Sequence, residues 1–268
     1  MSTNLSTYTR NKLIDHVFRT ATFSKIGTLY FALSASGSEV SGGNYARVAV
    51  TPSDANFNAP SASSPAGRKV SNANPITFNT PSASWGTVDG WAVYDAASGG
   101  NLIASGALTA AKTIGASDPA PQFPASAFSF TVDFGSNIYN DLVLNFLFRT
   151  AAWSKPSALY FGLYTTSPDA DGGGTEVSGG SYARVAVTPG DAAFAAPVSD
   201  DGHTENLADI EFPAPSGAAW GAVEAVGVFT AASGGNLWLF DDFAPVNVND
   251  GDAAPRIATG QFDHTINA

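Results

Sequence analysis

The sequence contains no cysteine, which removes disulfides and thiolate metal sites and leaves the redox compartment unmarked. Positive charge is scarce: 12 Lys and Arg against 23 Asp and Glu give a net charge of −11. That balance repels nucleic-acid phosphate, so no nucleic-acid partner is expected, and it leaves room for a positively charged partner surface. No apolar run reaches the roughly 18 residues of a membrane span, and the N-terminus carries no signal-peptide pattern. A soluble, unprocessed protein with no membrane partner is the expectation. Charged residues make up only 13% of the chain, too few for long solvated helices or a disordered polyelectrolyte. Heptads and short fibrous repeats are missing as well.

What is present is a duplication. The run Ser41-Gly42-Gly43-Asn44-Tyr45-Ala46-Arg47-Val48-Ala49-Val50-Thr51-Pro52 returns, one substitution apart, as Ser178-Gly179-Gly180-Ser181-Tyr182-Ala183-Arg184-Val185-Ala186-Val187-Thr188-Pro189. Phe18-Arg19-Thr20 returns as Phe148-Arg149-Thr150, Trp85-Gly86 as Trp220-Gly221, and Ala96 to Leu102 as Ala231 to Leu237. A period above a hundred residues is a duplicated domain, not a solenoid unit, whose periods run about 20–50. The 268 residues accommodate two copies, each large enough for its own core. The expected domains are residues 1–134 and 135–268.

Each copy opens with a helix. Leu5 to Thr20 places Tyr8, Leu13, Ile14, Val17 and Phe18 on one stripe, with Ser6 or Thr7 as cap. In copy two Ser136 or Asn137 caps a broader apolar face, so the second helix is expected to be the more buried. Short strands separated by Gly and Pro turns follow in both copies. Phe128, Phe130, Val132 and Phe134 alternate onto one face of the last strand of copy one. The fold class is therefore mainly β: two tandem antiparallel sandwich or jelly-roll-like domains, each preceded by one short helix. A hairpin centred on Gly43 sets Glu39 opposite Arg47 across the ladder, and the same geometry sets Glu176 opposite Arg184. Such cross-strand charge pairs contribute roughly 0.2–1 kcal/mol, so all four residues are read as structural. The Ser, Ala, Asn and Pro-rich stretches Pro52 to Asn74 and Pro189 to Asn206 read as exposed loops.

Candidate chemistry is thin. His16, His203 and His264 lie far apart and have no matching set in the other copy. No nucleophile elbow, phosphate loop or zinc spacing is present. Asp169-Ala170-Asp171-Gly172 with Glu176, and Asp250-Gly251-Asp252 near Asp241 and Asp242, loosely resemble calcium loops. Their spacing is not that of an EF-hand, and solvated turns are the simpler reading. No enzymatic activity, catalytic residue, cofactor or metal is expected.

The run Leu5-Ser6-Thr7-Tyr8-Thr9-Arg10-Asn11-Lys12-Leu13-Ile14-Asp15-His16-Val17-Phe18-Arg19-Thr20, with Leu29-Tyr30-Phe31-Ala32-Leu33, resembles a family of tailed-phage virion proteins commonly labelled tail-fibre-like. Both Ser-Gly-Gly-x-Tyr-Ala-Arg runs and both Ala-Ala-Ser-Gly-Gly-Asn-Leu turns share that resemblance, which covers nearly the whole chain. It implies a virion component and carries no catalytic residues over. Copy two departs where Tyr139-Asn140-Asp141 stands in place of the Arg-Asn-Lys stretch.

With no coiled-coil shaft, the expectation is a capsid decoration or cement protein on the virion surface. The alternative is a tail fibre or tail-tip receptor-binding protein. Expected partners are other virion proteins, either the major capsid protein or tail proteins, together with further copies of the chain. The arm Met1 to Tyr8, with Leu5 and Tyr8 in it, together with the exposed loops, is the expected partner contact.

Overall fold

The computed structural model describes residues 4–64, 66–197 and 202–266. Repeat one runs β1 (Asn4–Leu5), α1 (Thr7–Phe18), β2 (Leu29–Ala35), β3 (Ser38–Glu39), β4 (Val48–Val50), β5 (Ser61–Ala62), β6 (Arg68–Ser71), β7 (Ile76–Thr77), β8 (Gly86–Tyr94), β9 (Leu102–Ile114), β10 (Gln122–Phe123) and β11 (Ser129–Val132). Repeat two runs α2 (Asn137–Phe148), β12 (Leu159–Thr166), β13 (Thr175–Glu176), β14 (Val185–Val187), β15 (His203–Glu205), β16 (Ile210–Glu211), β17 (Gly221–Phe229), β18 (Leu237–Val248), β19 (Arg256–Ile257) and β20 (Asp263–Thr265).

Each repeat has one main antiparallel sheet. Its order is β1-β9-β8-β2-β3 in the first and β13-β12-β17-β18 in the second, with β4 and β14 pairing β2 and β12. Smaller antiparallel pieces, β5-β6-β11 and β7-β10, then β15-β20 and β16-β19, form the second layer. Aromatic edge-to-face contacts join the layers: Phe128 lies 5.0 Å from both Phe31 and Trp91, and Phe262 lies 5.0 Å from Phe161. Phe128, Phe130 and Val132 all face this core, as their alternation predicts.

The expected hairpin is where the structure corrects the sequence reading. β3 and β4 do not pair with each other; both pair with β2, Glu39 opposite Ser34 and Val48 opposite Phe31. The reason is the Tyr45 hydroxyl, which accepts the Leu33 N–H at 2.9 Å and so breaks the ladder between the two strands. Tyr182 does the same to Leu163 at 2.8 Å. The intervening turn is drawn down onto an indole, since Trp85 Nε1 donates to the Gly43 carbonyl at 2.9 Å. Gly43 has φ +52°, and a Cβ there would sit 2.9 Å from the Ala83 carbonyl oxygen, so only glycine fits.

Ser6 and Ser136 cap the two helices, each accepting the backbone N–H three residues on. The same hydroxyls donate to the Leu102 and Leu237 carbonyls, which fastens each helix start to the edge of its own sheet. The helices then leave home. Phe18, at the end of α1, packs on Phe194, Phe262 and His264 of repeat two, at centroid distances of 5.1, 5.8 and 5.6 Å. Phe148, at the end of α2, packs on Phe57 and Phe130 of repeat one, at 5.3 Å from each.

Two expectations change with this exchange. The stretches Pro52 to Asn74 and Pro189 to Asn206 are not wholly exposed loops, because Phe57 and Phe194 are fully buried in them against the opposite helix. An isolated apolar anchor among small polar residues has no period for a sequence to reveal. Nor are the cores of the two copies separate: one buried hydrophobic cluster runs from Leu5 through Ile266 across both repeats.

Candidate interaction surface

Arg47 sets its guanidinium against Glu39 in a two-pronged pair, Nε to Oε1 at 2.8 Å and Nη2 to Oε2 at 2.7 Å. Its Nη1 donates to the Ala96 and Gly99 carbonyls at 2.7 and 2.8 Å, and the plane lies 3.5 Å from the Tyr94 ring centre. Arg184 repeats the arrangement with Glu176, Ala231, Gly234 and Phe229. Hydrogen bonding to Glu39 raises Arg47 above its ordinary pKa, and burial raises the Tyr45 hydroxyl beside it. Each Glu–Arg pair meets across a loop and not across a ladder. Each Arg also ties the loop before β4 or β14 to the tip of the β8–β9 or β17–β18 hairpin.

The expected partner arm is largely spent on the molecule itself. Leu5 is 4% exposed and pairs with Ala104, so its side chain belongs to the core and not to a partner. Tyr8 is half-buried, with its ring edge-to-face on Phe23 at 6.3 Å. Met1 to Thr3 of the arm lie outside the described residues.

The histidines and acidic loops separate in the same manner. His203 and His264 lie on the paired strands β15 and β20, where His264 is opposite Thr204 and His203 Nε2 lies 2.9 Å from Asp263 Oδ1. Burial holds His264 down to about 4, well below an ordinary imidazole. His16 belongs to the seam between repeats; its Nδ1 accepts the Phe23 N–H at 3.1 Å, and burial lowers its pKa. Asp169 accepts the N–H groups of Asp171 and Gly173, and Asp250 and Asp252 accept those of Gly217 and Asn249. Glu176 is engaged by Arg184. Among the described residues no group of three or more His, Asp or Glu is placed to hold a metal ion.

At the seam, Arg19 donates to the Phe194 carbonyl and pairs with Asp191 at 3.1 Å; Arg149 donates to the Phe57 carbonyl and pairs with Asp54 at 3.1 Å. Lys25 caps the end of α2, donating to the Phe146, Arg149 and Ala151 carbonyls. These residues were not anticipated as a group. The signal was available: Arg19 and Asp54 both recur, as Arg149 and Asp191, within the duplication.

A cleft of about 550 Å³ opens between the far half of the β17–β18 hairpin and the β19–β20 segment, floored by Leu163, Val226 and Phe262 and rimmed by Asp241, Phe243 and Val246. This lies within the size range of ligand clefts.

The family described as Podophage GP4 fiber I protein gp80 matches residues 4–131 and, a second time, residues 135–265. The chain belongs to that family. It is a tandem member, and the fibre-like resemblance and the duplication read from the sequence are both borne out. No curated protein matches it. Membership of the gp80 fibre family makes the chain a phage structural protein associated with the virion. Among the described residues no helix is long and apolar enough to cross a membrane.

Proposed function

We propose that this gp80-family protein is a non-enzymatic subunit of the fibre apparatus of a phage virion, and not a shell-decorating protein. The observation that carries the reading is the double family match under a fibre description, over a chain whose two copies share one core. The seam supports it physically. Exchanged helices make two fibre-family domains one unit, which suits a part that must transmit contact without hinging. The most structured polar groups, the two Arg–Glu centres and the Arg–Asp pairs of the seam, are engaged in holding loops and helices together. Groups occupied in this way are not free for catalysis.

Gold-labelled antibody imaging of intact virions, with copies counted by quantitative mass spectrometry, tests the proposal. Label on the tail at a few to some dozens of copies is the expected result. Label spread over the head at hundreds of copies would overturn it in favour of decoration.

A further inference from the structure

The two repeats carry the same cleft in different states. Trp91 pairs with Leu33 and Gly106 in repeat one, and Val226 pairs with Leu163 and Asp241 at the same register in repeat two. Trp91 is 1% exposed and covers Phe128 and Phe130 edge-to-face; Val226 is 9% exposed and lines the cleft beside Phe262. The corresponding surface of repeat one is divided into a hollow of about 270 Å³ walled by Leu33, Phe78 and Val88 and an adjoining one of about 500 Å³ beside Lys112 and Pro121, where repeat two has one cleft of about 550 Å³.

The rim has changed in a matching sense. Val246 pairs with Val223 where Lys112 pairs with Val88. Asp241 stands in place of Gly106, and Asp263, opposite Glu205, in place of Ser129, opposite Ser71. The second cleft has therefore exchanged one cation for another, losing Lys112 and gaining Arg256 in place of Gln122, and has gained two carboxylates. Its lining cation is engaged: Arg256 pairs with Asp209 at 3.0 Å. Asp241 accepts the Asp242 N–H and, among the described residues, forms no ion pair. Phe243 and Val246, 40% and 57% exposed, are two of the four exposed large hydrophobic residues among those described. Apolar surface held in water beside an unpaired carboxylate marks a binding surface better than a solubilising one.

We propose that this cleft takes a basic, apolar segment of a partner protein, with aliphatic side chains against Val226 and Phe243 and a cationic group on Asp241. The net charge of −11 favours a basic partner over a second copy of this chain. Pro245 lies in the outer strand β18 and removes an N–H there, so the segment is held by its side chains and not by extending the sheet. The inference goes beyond the fibre reading and holds wherever on the particle the protein sits.

The test uses the full chain, ¹⁵N-labelled, and three defined probes. These are a short peptide with two leucines flanked by lysines, the same peptide with glutamates for lysines, and a neutral disaccharide. Saturable shifts at Val226, Phe243 and Val246 with the lysine peptide alone are expected. D241N should weaken that binding about five-fold or more, and V246K, which restores the lysine of repeat one on an exposed rim, should abolish it. V226W should close the cleft and abolish binding too; if V226W fails to fold, V246K and D241N still decide. Equal response to both peptides, shifts with the disaccharide instead, or unchanged binding in V246K would overturn the proposal. Tail or head labelling of virions bears on the fibre reading alone, so the two can fail separately.

Discussion

His16 lies stacked on Phe146, ring centroids 5.9 Å apart and 18° from parallel, and the two are the same position of the two sequence copies. Equivalent residues that touch each other mark a two-fold axis. The flanking contacts obey it: His16 meets Trp153 edge-on at 4.9 Å, and Phe146 meets Phe23 edge-on at 5.5 Å. The tandem chain is thus built like a dimer whose subunits have been joined.

The exchanged phenylalanines should hold the two repeats in one cooperative unit. Phe148→Ala leaves a cavity among Phe57, Phe128 and Phe130 of the other repeat, at a cost of about 3–5 kcal/mol. Denaturant unfolding followed by fluorescence and by far-ultraviolet dichroism should give one coincident transition at a lower midpoint. Two separated transitions in the unaltered protein would show that the repeats unfold independently.

Acid should weaken the seam. The folded pKa of His264 is lowered to about 4 from an ordinary 6.5 by burial beside Phe18. Above about pH 6.5 the imidazole is neutral in both states, and its stabilising effect is complete. Between 6.5 and 4 only the unfolded chain takes up the proton, so stability falls as pH falls, by about 3 kcal/mol over the window. His16, also lowered, acts in the same direction. His264→Phe, which copies Phe130 of repeat one, should flatten the profile of stability against pH without lowering stability at pH 7.

The arginine centres should tolerate no substitute. Arg184→Ala leaves Glu176 without its cation and frees the Ala231–Gly235 turn, a loss of about 2–3 kcal/mol given partial exposure of the carboxylate. Arg184→Lys should recover little of it, because an ammonium cannot make the two-pronged pair and lie flat on Phe229 together. Hydrogen exchange at Thr230 and Asn236, whose N–H groups close this turn, reports the loosening directly; unchanged protection would mean the turn holds itself.

Ser136 joins cap and sheet edge in one hydroxyl, accepting from Tyr139 N–H and donating to the Leu237 carbonyl at 2.6 Å. Ser136→Ala should cost about 1–2 kcal/mol. Thermal unfolding measures it, and Ser136→Thr should restore most of the loss.

Much of this protein was legible one residue at a time. The capping serines, the Ser-Gly-Gly turns, the alternation at Phe128 to Val132 and the partnership of Glu39 with Arg47 follow from local chemistry that one chain segment carries within itself. The duplication added a second reading of each. What the sequence could not settle was where repeated groups find their partners. An apolar stripe on α1 requires burial but names no surface, and Phe18 meets an equivalent aromatic pocket in either copy. Only the tertiary structure decided that each helix crosses to the other repeat, burying Phe57 and Phe194 in stretches that read as loops. The ladder break at Tyr45 was equally hidden, because a hydroxyl that replaces a strand partner leaves the alternation of Val48 and Val50 intact. The cleft of repeat two was visible in sequence only as Val226 standing where Trp91 stands, and it took the fold to turn that difference into a cavity.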